Sequence, residues 1–267
     1  MSTYRVTRKL GVGTLFESYA GVVRHSQGAE HPVWLRRLVA PWAQDAGFID
    51  RFSMLAEHWR ALSPEVVTPL VEYGTGADST WVTQSLVDGE SIRTMLSALS
   101  AKQLRPQTNE VVAIGIRVAS ALATIHDQSL DLHHGDLCAS TIHLTPDGRV
   151  LFTDFGIATA AGLTPQTGPA RCEAHAMAPE QQGGRYFASS DVYRLGLVLL
   201  ELVTGRASPG SSWPGVPEKL ATALSWMLAK DPTQRHKPVM SRTHCKSPPS
   251  SRAGRSTRMI WFDFSPG

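Results

Sequence analysis

Cysteine is scarce in this chain of 267 residues, which contains three, at positions 138, 172 and 245. The number is odd and the positions are scattered, so the sequence predicts no disulfide framework. No pair of cysteine and histidine has the spacing of zinc ligands, which excludes a small zinc-stapled protein. We therefore expect the fold to be held by an ordinary apolar core.

Long hydrophobic runs are also missing. The N-terminal stretch MSTYRVTRKLG lacks the apolar segment of a signal peptide. The most apolar stretch, from Leu195 to Val203, is short and contains Glu201, which is typical of a buried helix rather than a membrane span. We expect a soluble, cytoplasmic protein with no membrane span.

The basic charge of the chain is concentrated at one end. Residues 236–267 contain six lysines and arginines and one acid, whereas the rest of the chain has 20 basic and 22 acidic residues. A nucleic-acid-binding protein would carry this charge on its folded body, so we expect no nucleic-acid partner. Residues 237–267 are basic, rich in Ser, Pro and Arg, and predicted to be disordered. They resemble unrelated or frameshifted sequence.

Hydrophobic periodicity divides the remaining chain in two. The first part predicts a small sheet with one helix: strands at residues 4–10, 18–24, 32–39, 66–73 and 80–87, and a helix at residues 46–62. The second part is mainly helical, with helices at residues 110–127, 190–204 and 217–229. Two short strands, at residues 142–144 and 150–153, flank a Pro-Asp-Gly turn.

Seven short motifs follow one another between residues 4 and 236. Each is weak alone, but the ordered series is specific. In sequence order they are Leu10-Gly11-Val12-Gly13, Val33-Trp34-Leu35-Arg36, His134-Gly135-Asp136-Leu137, Asp154-Phe155-Gly156, Ala178-Pro179-Glu180, Asp191-Val-Tyr-Arg-Leu-Gly196 and Ala229-Lys-Asp-Pro-Thr-Gln-Arg235. The series resembles the signature set of the protein kinases, most closely that of the bacterial serine/threonine kinases.

This resemblance implies an α+β, bilobal protein-kinase-like fold. A small β-rich N-lobe with one helix would span residues 4–86, and a larger, mainly helical C-lobe would span residues 87–236. The stretch from Gly205 to Leu220 is short for the family and lacks an obvious helix where many kinases dock substrates.

The resemblance also identifies candidate nucleotide-binding residues. Gly11 and Gly13 match the glycine loop that covers the phosphates, although its third glycine is Phe16, whose ring at the loop tip would obstruct the phosphates. A plain hairpin turn is an equally good interpretation of these glycines. Arg36 matches the phosphate-binding lysine, and Leu55 stands where its partner glutamate is expected.

The adenine slot and the helix that follows it also depart from the family pattern. Trp34 replaces the small residue above the adenine, Ser18 replaces a valine, and His143 replaces the leucine below it. We favour Trp34 as a residue that fills the slot. Glu57 lies about 200° round the helix from Leu55, so it cannot replace the missing glutamate.

The catalytic loop keeps only part of its chemistry. Asp136 matches the base that accepts the proton of the substrate hydroxyl, and Asp154 matches a magnesium ligand. Cys138 replaces the lysine that neutralises the γ-phosphate, and we expect it to be an inert thiol. Thr141 replaces the asparagine that holds the second magnesium ion.

Structural residues of the family are retained. Glu180 and Arg235 match a buried ion pair, Asp191 matches the residue that pins the catalytic-loop backbone, and His134 and Phe155 match the apolar spine. The sequence therefore predicts a pseudokinase that serves as a protein-binding or regulatory module in signalling, with a protein partner and no cofactor. The alternative is a weak serine/threonine kinase that uses ATP, Mg²⁺, Asp136 and Asp154. A third hypothesis is a truncated gene product with no stable fold.

Overall fold

The computed structural model describes residues 2–13, 15–25, 28–40, 42–75, 79–128, 132–162, 176–210 and 212–235. The predicted tail at residues 237–267 lies outside these ranges. Within them the chain forms the expected α+β fold, with a β-rich lobe followed by a mainly helical lobe.

The smaller lobe is built on an antiparallel sheet of strand order β1-β2-β3-β5-β4. Its elements are β1 (Thr3–Val12), β2 (Phe16–Arg24), β3 (Glu30–Leu38), α1 (Ala46–Ala61), β4 (Leu70–Thr75) and β5 (Thr80–Ser85). The helix predicted from apolar spacing is confirmed. It begins after Asp45, whose side chain accepts a hydrogen bond from the Phe48 N–H at 2.9 Å. It buries Phe48, Phe52 and Trp59 beneath the sheet.

The larger lobe is mainly helical. Its elements are β6 (Glu90–Ser91), α2 (Ile92–Ala101), α3 (Thr108–Gln128), β7 (Ile142–Leu144), β8 (Val150–Phe152), α4 (Ile157–Ala160), α5 (Ala188–Thr204) and α6 (Glu218–Met227). No helix occurs at residues 205–210 or 212–217, as expected for the shortened stretch. Helix α2 was not predicted, although Ser91 caps it by accepting a hydrogen bond from the Thr94 N–H at 3.1 Å.

The core of the larger lobe forms where α3 crosses α5. Gly115 of α3 allows this close approach, because a Cβ atom there would lie 3.1 Å from the side chain of Leu199. By length and composition alone, residues 108–127 of α3 are apolar enough to cross a membrane. In the structure, however, α3 packs against α5 and buries Val111, Val118 and Leu122.

The predicted strand at residues 66–73 is wrong in its first half, since β4 starts only at Leu70. Pro69 has no N–H to donate to a neighbouring strand, which ends the ladder there. The residues before it instead join the two lobes: Val67 forms a single parallel bridge with Phe152, and the Thr68 N–H donates to the Phe152 carbonyl at 2.9 Å. We propose the lobe boundary at residues 86 and 87, between β5 and β6.

Candidate functional site

The glycine loop is the turn between β1 and β2. The Gly13 N–H donates a hydrogen bond to the Phe16 carbonyl at 2.8 Å and closes the turn. The expectation that the ring of Phe16 stands at the loop tip is wrong, because the side chain is 3% exposed and turns inward. It packs against Phe52 of α1, with ring centroids 6.2 Å apart, since burial of an aromatic ring is favourable.

A buried ion pair lies beneath the glycine loop. Arg36 of β3 donates to Oδ1 of Asp154, and both side chains are 3% exposed. The same nitrogen of Arg36 lies 3.2 Å from Oε1 of Gln84, and the guanidinium carbon lies 4.3 Å from the centre of the Phe16 ring. The carboxylate expected to bind magnesium is thus paired with a cation of the chain itself.

Helix α1 turns an apolar side chain towards this pair. Leu55 packs so closely on Gly156 that a Cβ atom at Gly156 would lie 2.6 Å from its Cδ1 atom. Glu57 faces away from the cleft, where it accepts hydrogen bonds from Tyr73 at 2.8 Å and from Arg60 at 3.1 Å. Glu57 is thus engaged by Tyr73 and Arg60, and Leu55 is the side chain of α1 that packs on Gly156.

The predicted adenine slot is narrow because the side chains expected above and below the base, Trp34 and His143, contact each other. The rings of Trp34 and His143 meet edge to face, with centroids 5.8 Å apart. A cleft of about 240 Å³ remains beside them, lined by residues that include Gly11, Gly13 and Ser18. Pockets for drug-sized ligands usually enclose about 300–1,000 Å³, so this cleft is small for a nucleotide.

In the catalytic loop, the hydroxyl group of Thr141 is engaged by the loop itself. It accepts a hydrogen bond from the Cys138 N–H at 2.9 Å and lies 3.2 Å from the carbonyl oxygen of Asp136. Cys138 is disulfide-bonded. The expectation of an inert thiol at this position is therefore wrong. Spacing alone could not show this, because pairing depends on which cysteines the fold brings together.

Asp136 is buried and paired with Arg194, a residue that was not among the predicted site residues. Both terminal nitrogens of Arg194, on α5, donate to Oδ1 of Asp136, at 2.9 and 3.0 Å. The sequence does indicate a buried acidic partner for Arg194, because an arginine in the middle of an apolar helix needs an anion nearby.

Asp191 pins the catalytic loop, as predicted. Its carboxylate accepts hydrogen bonds from the N–H groups of His134 at 2.7 Å and Gly135 at 2.9 Å, and it lies 3.0 Å from Nε2 of His126. Burial opposes ionisation of Asp191, but the hydrogen bond from His126 and the electrostatic effect of the nearby histidines together outweigh it and hold the pKa of Asp191 below its usual value. Gly135 is needed there, because its φ is +78° and a Cβ atom would lie 2.6 Å from Oγ1 of Thr159.

The other predicted structural contacts are also confirmed. Arg235 binds both carboxylate oxygens of Glu180, at 2.6 and 2.9 Å, and Ser190 donates to Glu180 at 2.6 Å. Burial opposes ionisation of Glu180, but hydrogen bonds from Arg235 and Ser190 lower its pKa. The rings of His134 and Phe155 meet edge to face, with centroids 5.6 Å apart.

These contacts do not fit Mg²⁺ and ATP. Asp154 is paired with Arg36, the hydroxyl of Thr141 bonds the loop backbone, and Trp34 meets His143. Within the described ranges, no group of three or more His, Cys, Asp or Glu side chains is arranged to hold a metal ion. The nucleotide-binding roles of Gly11, Gly13 and Arg36, and the catalytic roles of Asp136 and Asp154, stay predictions.

The fold and the ordered motifs define a protein kinase domain, and comparison with known proteins agrees. Residues 4–247 match the family model described as protein tyrosine and serine/threonine kinase, and the chain belongs to this family.

Curated relatives are bacterial kinases. The chain is 30% identical to the serine/threonine-protein kinase PknD of Mycobacterium tuberculosis, with 87% of this chain and 37% of PknD covered. It is 27% identical to the serine/threonine-protein kinase PrkC of Bacillus subtilis, with 87% of this chain and 38% of PrkC covered. The chain thus spans less than half the length of these relatives. The crystal structure of the PknI kinase domain of Mycobacterium tuberculosis is also similar, with a TM-score of 0.69, 26% identity, and coverage of 87% of this chain and 90% of that one.

Proposed function

We propose that this chain is a pseudokinase domain, which acts as a protein-binding or regulatory module in signalling and does not transfer phosphate at a useful rate. The observation that carries the proposal is the buried ion pair of Arg36 with Asp154. It places a cation of the chain against the carboxylate that a kinase uses to bind magnesium. The protein partner is unknown, and cytoplasmic localisation stays a prediction.

Magnesium that binds Oδ1 of Asp154 would displace Arg36 from it. Both side chains are 3% exposed, so the guanidinium group would be left in a site with little access to water. Separating a buried ion pair typically costs ~3–5 kcal/mol. Since ~1.4 kcal/mol corresponds to a tenfold change in affinity, magnesium binding would be weakened by roughly two to four orders of magnitude.

The substitutions in the catalytic loop lower the expected rate further. Kinases turn over at roughly 1–100 s⁻¹. Removing one preorganised electrostatic contact typically costs ~10²–10³ in rate. Here Cys138 stands at the position of the lysine that neutralises the γ-phosphate. The hydroxyl group of Thr141 is hydrogen-bonded to the loop backbone. Turnover of about 10⁻² s⁻¹ or less follows, which is too slow for signalling by phosphorylation.

The retained architecture supports a binding role. Glu180 and Arg235 still tie the segment before α5 to the end of the larger lobe, and Asp191 still fixes the catalytic loop. These contacts keep the shape of a kinase domain without serving phosphate transfer. A preorganised surface loses less conformational freedom when it binds another protein.

The alternative function is a weak serine/threonine kinase that uses Asp136 and Asp154. One observation favours it: a cleft of about 240 Å³ persists under the glycine loop, and Arg36 and Asp154 both line it. In such an enzyme, Arg36 would bind phosphate in place of the usual lysine.

Transfer of radiolabelled phosphate from ATP to a generic protein substrate separates the two functions. The kinase domain of PrkC serves as the positive control at equal concentration. We expect no transfer above background, even at high concentration of this chain. Transfer that disappears in Asp154→Asn, with the variant shown to be folded by circular dichroism, would establish the alternative.

A further inference from the structure

Arg194 lies in the middle of α5, a helix of the larger lobe whose residues are mostly buried. Its side chain is 1% exposed, and its neighbours Val192, Leu195 and Leu197 are buried apolar residues. An arginine in such surroundings is strongly destabilising unless an anion accepts its charge. The fold therefore requires a carboxylate within reach of this helix.

Asp136 supplies that carboxylate. Both terminal nitrogens of Arg194 bind the same oxygen, Oδ1, at 2.9 and 3.0 Å, and the side chain of Asp136 is 3% exposed. Across the described part of the chain, no other acidic side chain lies within 4.0 Å of Arg194. The pair therefore neutralises the charge that α5 carries into the core.

The loop around Asp136 is held on both sides by contacts that need no nucleotide. Before it, the N–H groups of His134 and Gly135 bind Asp191 of α5 at 2.7 and 2.9 Å. After it, the hydroxyl of Thr141 accepts the Cys138 N–H at 2.9 Å. Asp136 is thus fixed opposite Arg194 by the fold itself, whether or not a substrate is bound.

We infer that Asp136 is a structural counter-ion of Arg194, and that the fold retains it at the position of the catalytic base for this reason. The inference does not depend on the proposed pseudokinase function, because it concerns the stability of the larger lobe. It assigns Asp136 a role beyond the one that its motif implies. It also means that Asp136→Asn would damage the fold of this chain.

A double-mutant cycle tests the inference with Asp136→Asn, Arg194→Met and the two combined, each followed by thermal unfolding of the full chain. We expect Asp136→Asn to lower Tm by roughly 6–20 °C, because it leaves a buried charge without its partner. Adding Arg194→Met should recover at least half of that loss, because the double variant no longer buries a charge. The matched control is Asp147→Asn, which breaks the exposed pair of Asp147 with Arg149 and should leave Tm close to the wild-type value.

A wild-type Tm for Asp136→Asn would overturn the inference, and so would a double variant whose loss is the sum of the two single losses. If Asp136→Asn does not fold, soluble expression takes the place of Tm: the double variant must then be folded, and its failure to fold also contradicts the inference.

Phosphate transfer by the wild type would refute the pseudokinase proposal and leave the result of the double-mutant cycle unaffected. An additive cycle would refute the counter-ion role and leave that proposal standing.

Discussion

The indole ring of Trp34 and the imidazole ring of His143 touch edge to face across the cleft between the lobes, with centroids 5.8 Å apart and planes inclined at 71°. Trp34 comes from β3 of the smaller lobe and His143 from β7 of the larger lobe. The motif match predicts that these two rings lie where a kinase holds the adenine base.

Replacing Trp34 should open this slot. In Trp34→Ala the indole no longer meets His143, so we expect adenosine to bind with a Kd of roughly 0.1–1 mM, as is usual for a ligand of this size. Adenosine should not bind the wild type in this range. Ligand-observed NMR measures both.

The matched control for this experiment is Trp81→Ala. Trp81 packs against Tyr4, with centroids 5.7 Å apart, and does not line the cleft. Adenosine that binds the wild type as tightly as Trp34→Ala would show that the slot is already open.

Substitutions of two neighbouring arginines of β3 should differ sharply in their effect on the free energy of unfolding. Arg36→Met leaves Asp154 as a buried charge without its cation, so we expect the free energy of unfolding to fall by ~3–5 kcal/mol. Arg37→Met removes only an exposed partner of Glu17 and should leave the urea midpoint near the wild-type value. Equal midpoints for the two variants would mean that the buried pair contributes little.

The pair of Glu180 and Arg235 should stabilise the larger lobe by a similar amount. Glu180→Gln keeps the shape of the side chain but leaves Arg235 buried without an anion, so we expect a loss of ~3–5 kcal/mol in urea unfolding. The same urea series on Asp147→Asn, an exposed carboxylate, is the control. A loss in Glu180→Gln no larger than in Asp147→Asn contradicts the prediction.

Stability should fall with pH below about 6.5 through His134. Burial lowers the pKa of His134 below its usual value of 6.5, so the folded state holds the neutral ring while the unfolded chain takes up a proton. The neutral ring makes its full contribution to the free energy of unfolding above pH 6.5. This contribution is lost as the pH falls towards the pKa of His134 in the folded state, by up to ~1.4 kcal/mol per pH unit. Urea unfolding at pH 7.5, 6.5 and 5.5 measures this loss. His134→Gln should show a shallower slope, and an unchanged slope would exclude His134 as the cause.

Much of the fold could be predicted from the sequence, because the spacing of apolar residues is a local pattern and the motifs occur in a fixed order. Apolar spacing placed α1 at residues 46–62, and the observed helix is Ala46–Ala61. The strand predicted at residues 66–73 failed in its first half because its backbone joins the other lobe, a contact that no local pattern encodes. Helix α2 was missed although Ser91 and the apolar spacing after it gave a capping signal.

The site was predicted less completely, since its key contacts join residues far apart in sequence. The motifs identified Arg36 and Asp154 separately, but 118 positions separate the two partners of this ion pair. The pair of Arg194 with Asp136 and the inward turn of Phe16 likewise depend on how the elements pack. A motif match assigns a residue to a position in the family pattern. It cannot show which neighbouring residue forms an ion pair with it in the fold.

Thermal unfolding with and without 5–10 mM Mg-ATP, on the order of typical assay concentrations, tests the central claim most directly, because any ligand that binds the folded state raises its stability. The account predicts no change in Tm, since Arg36 is paired with Asp154, the predicted metal ligand, and Trp34 contacts His143 in the predicted adenine slot. A rise of several degrees that requires both magnesium and ATP would show that the cleft accepts the nucleotide and would contradict the account.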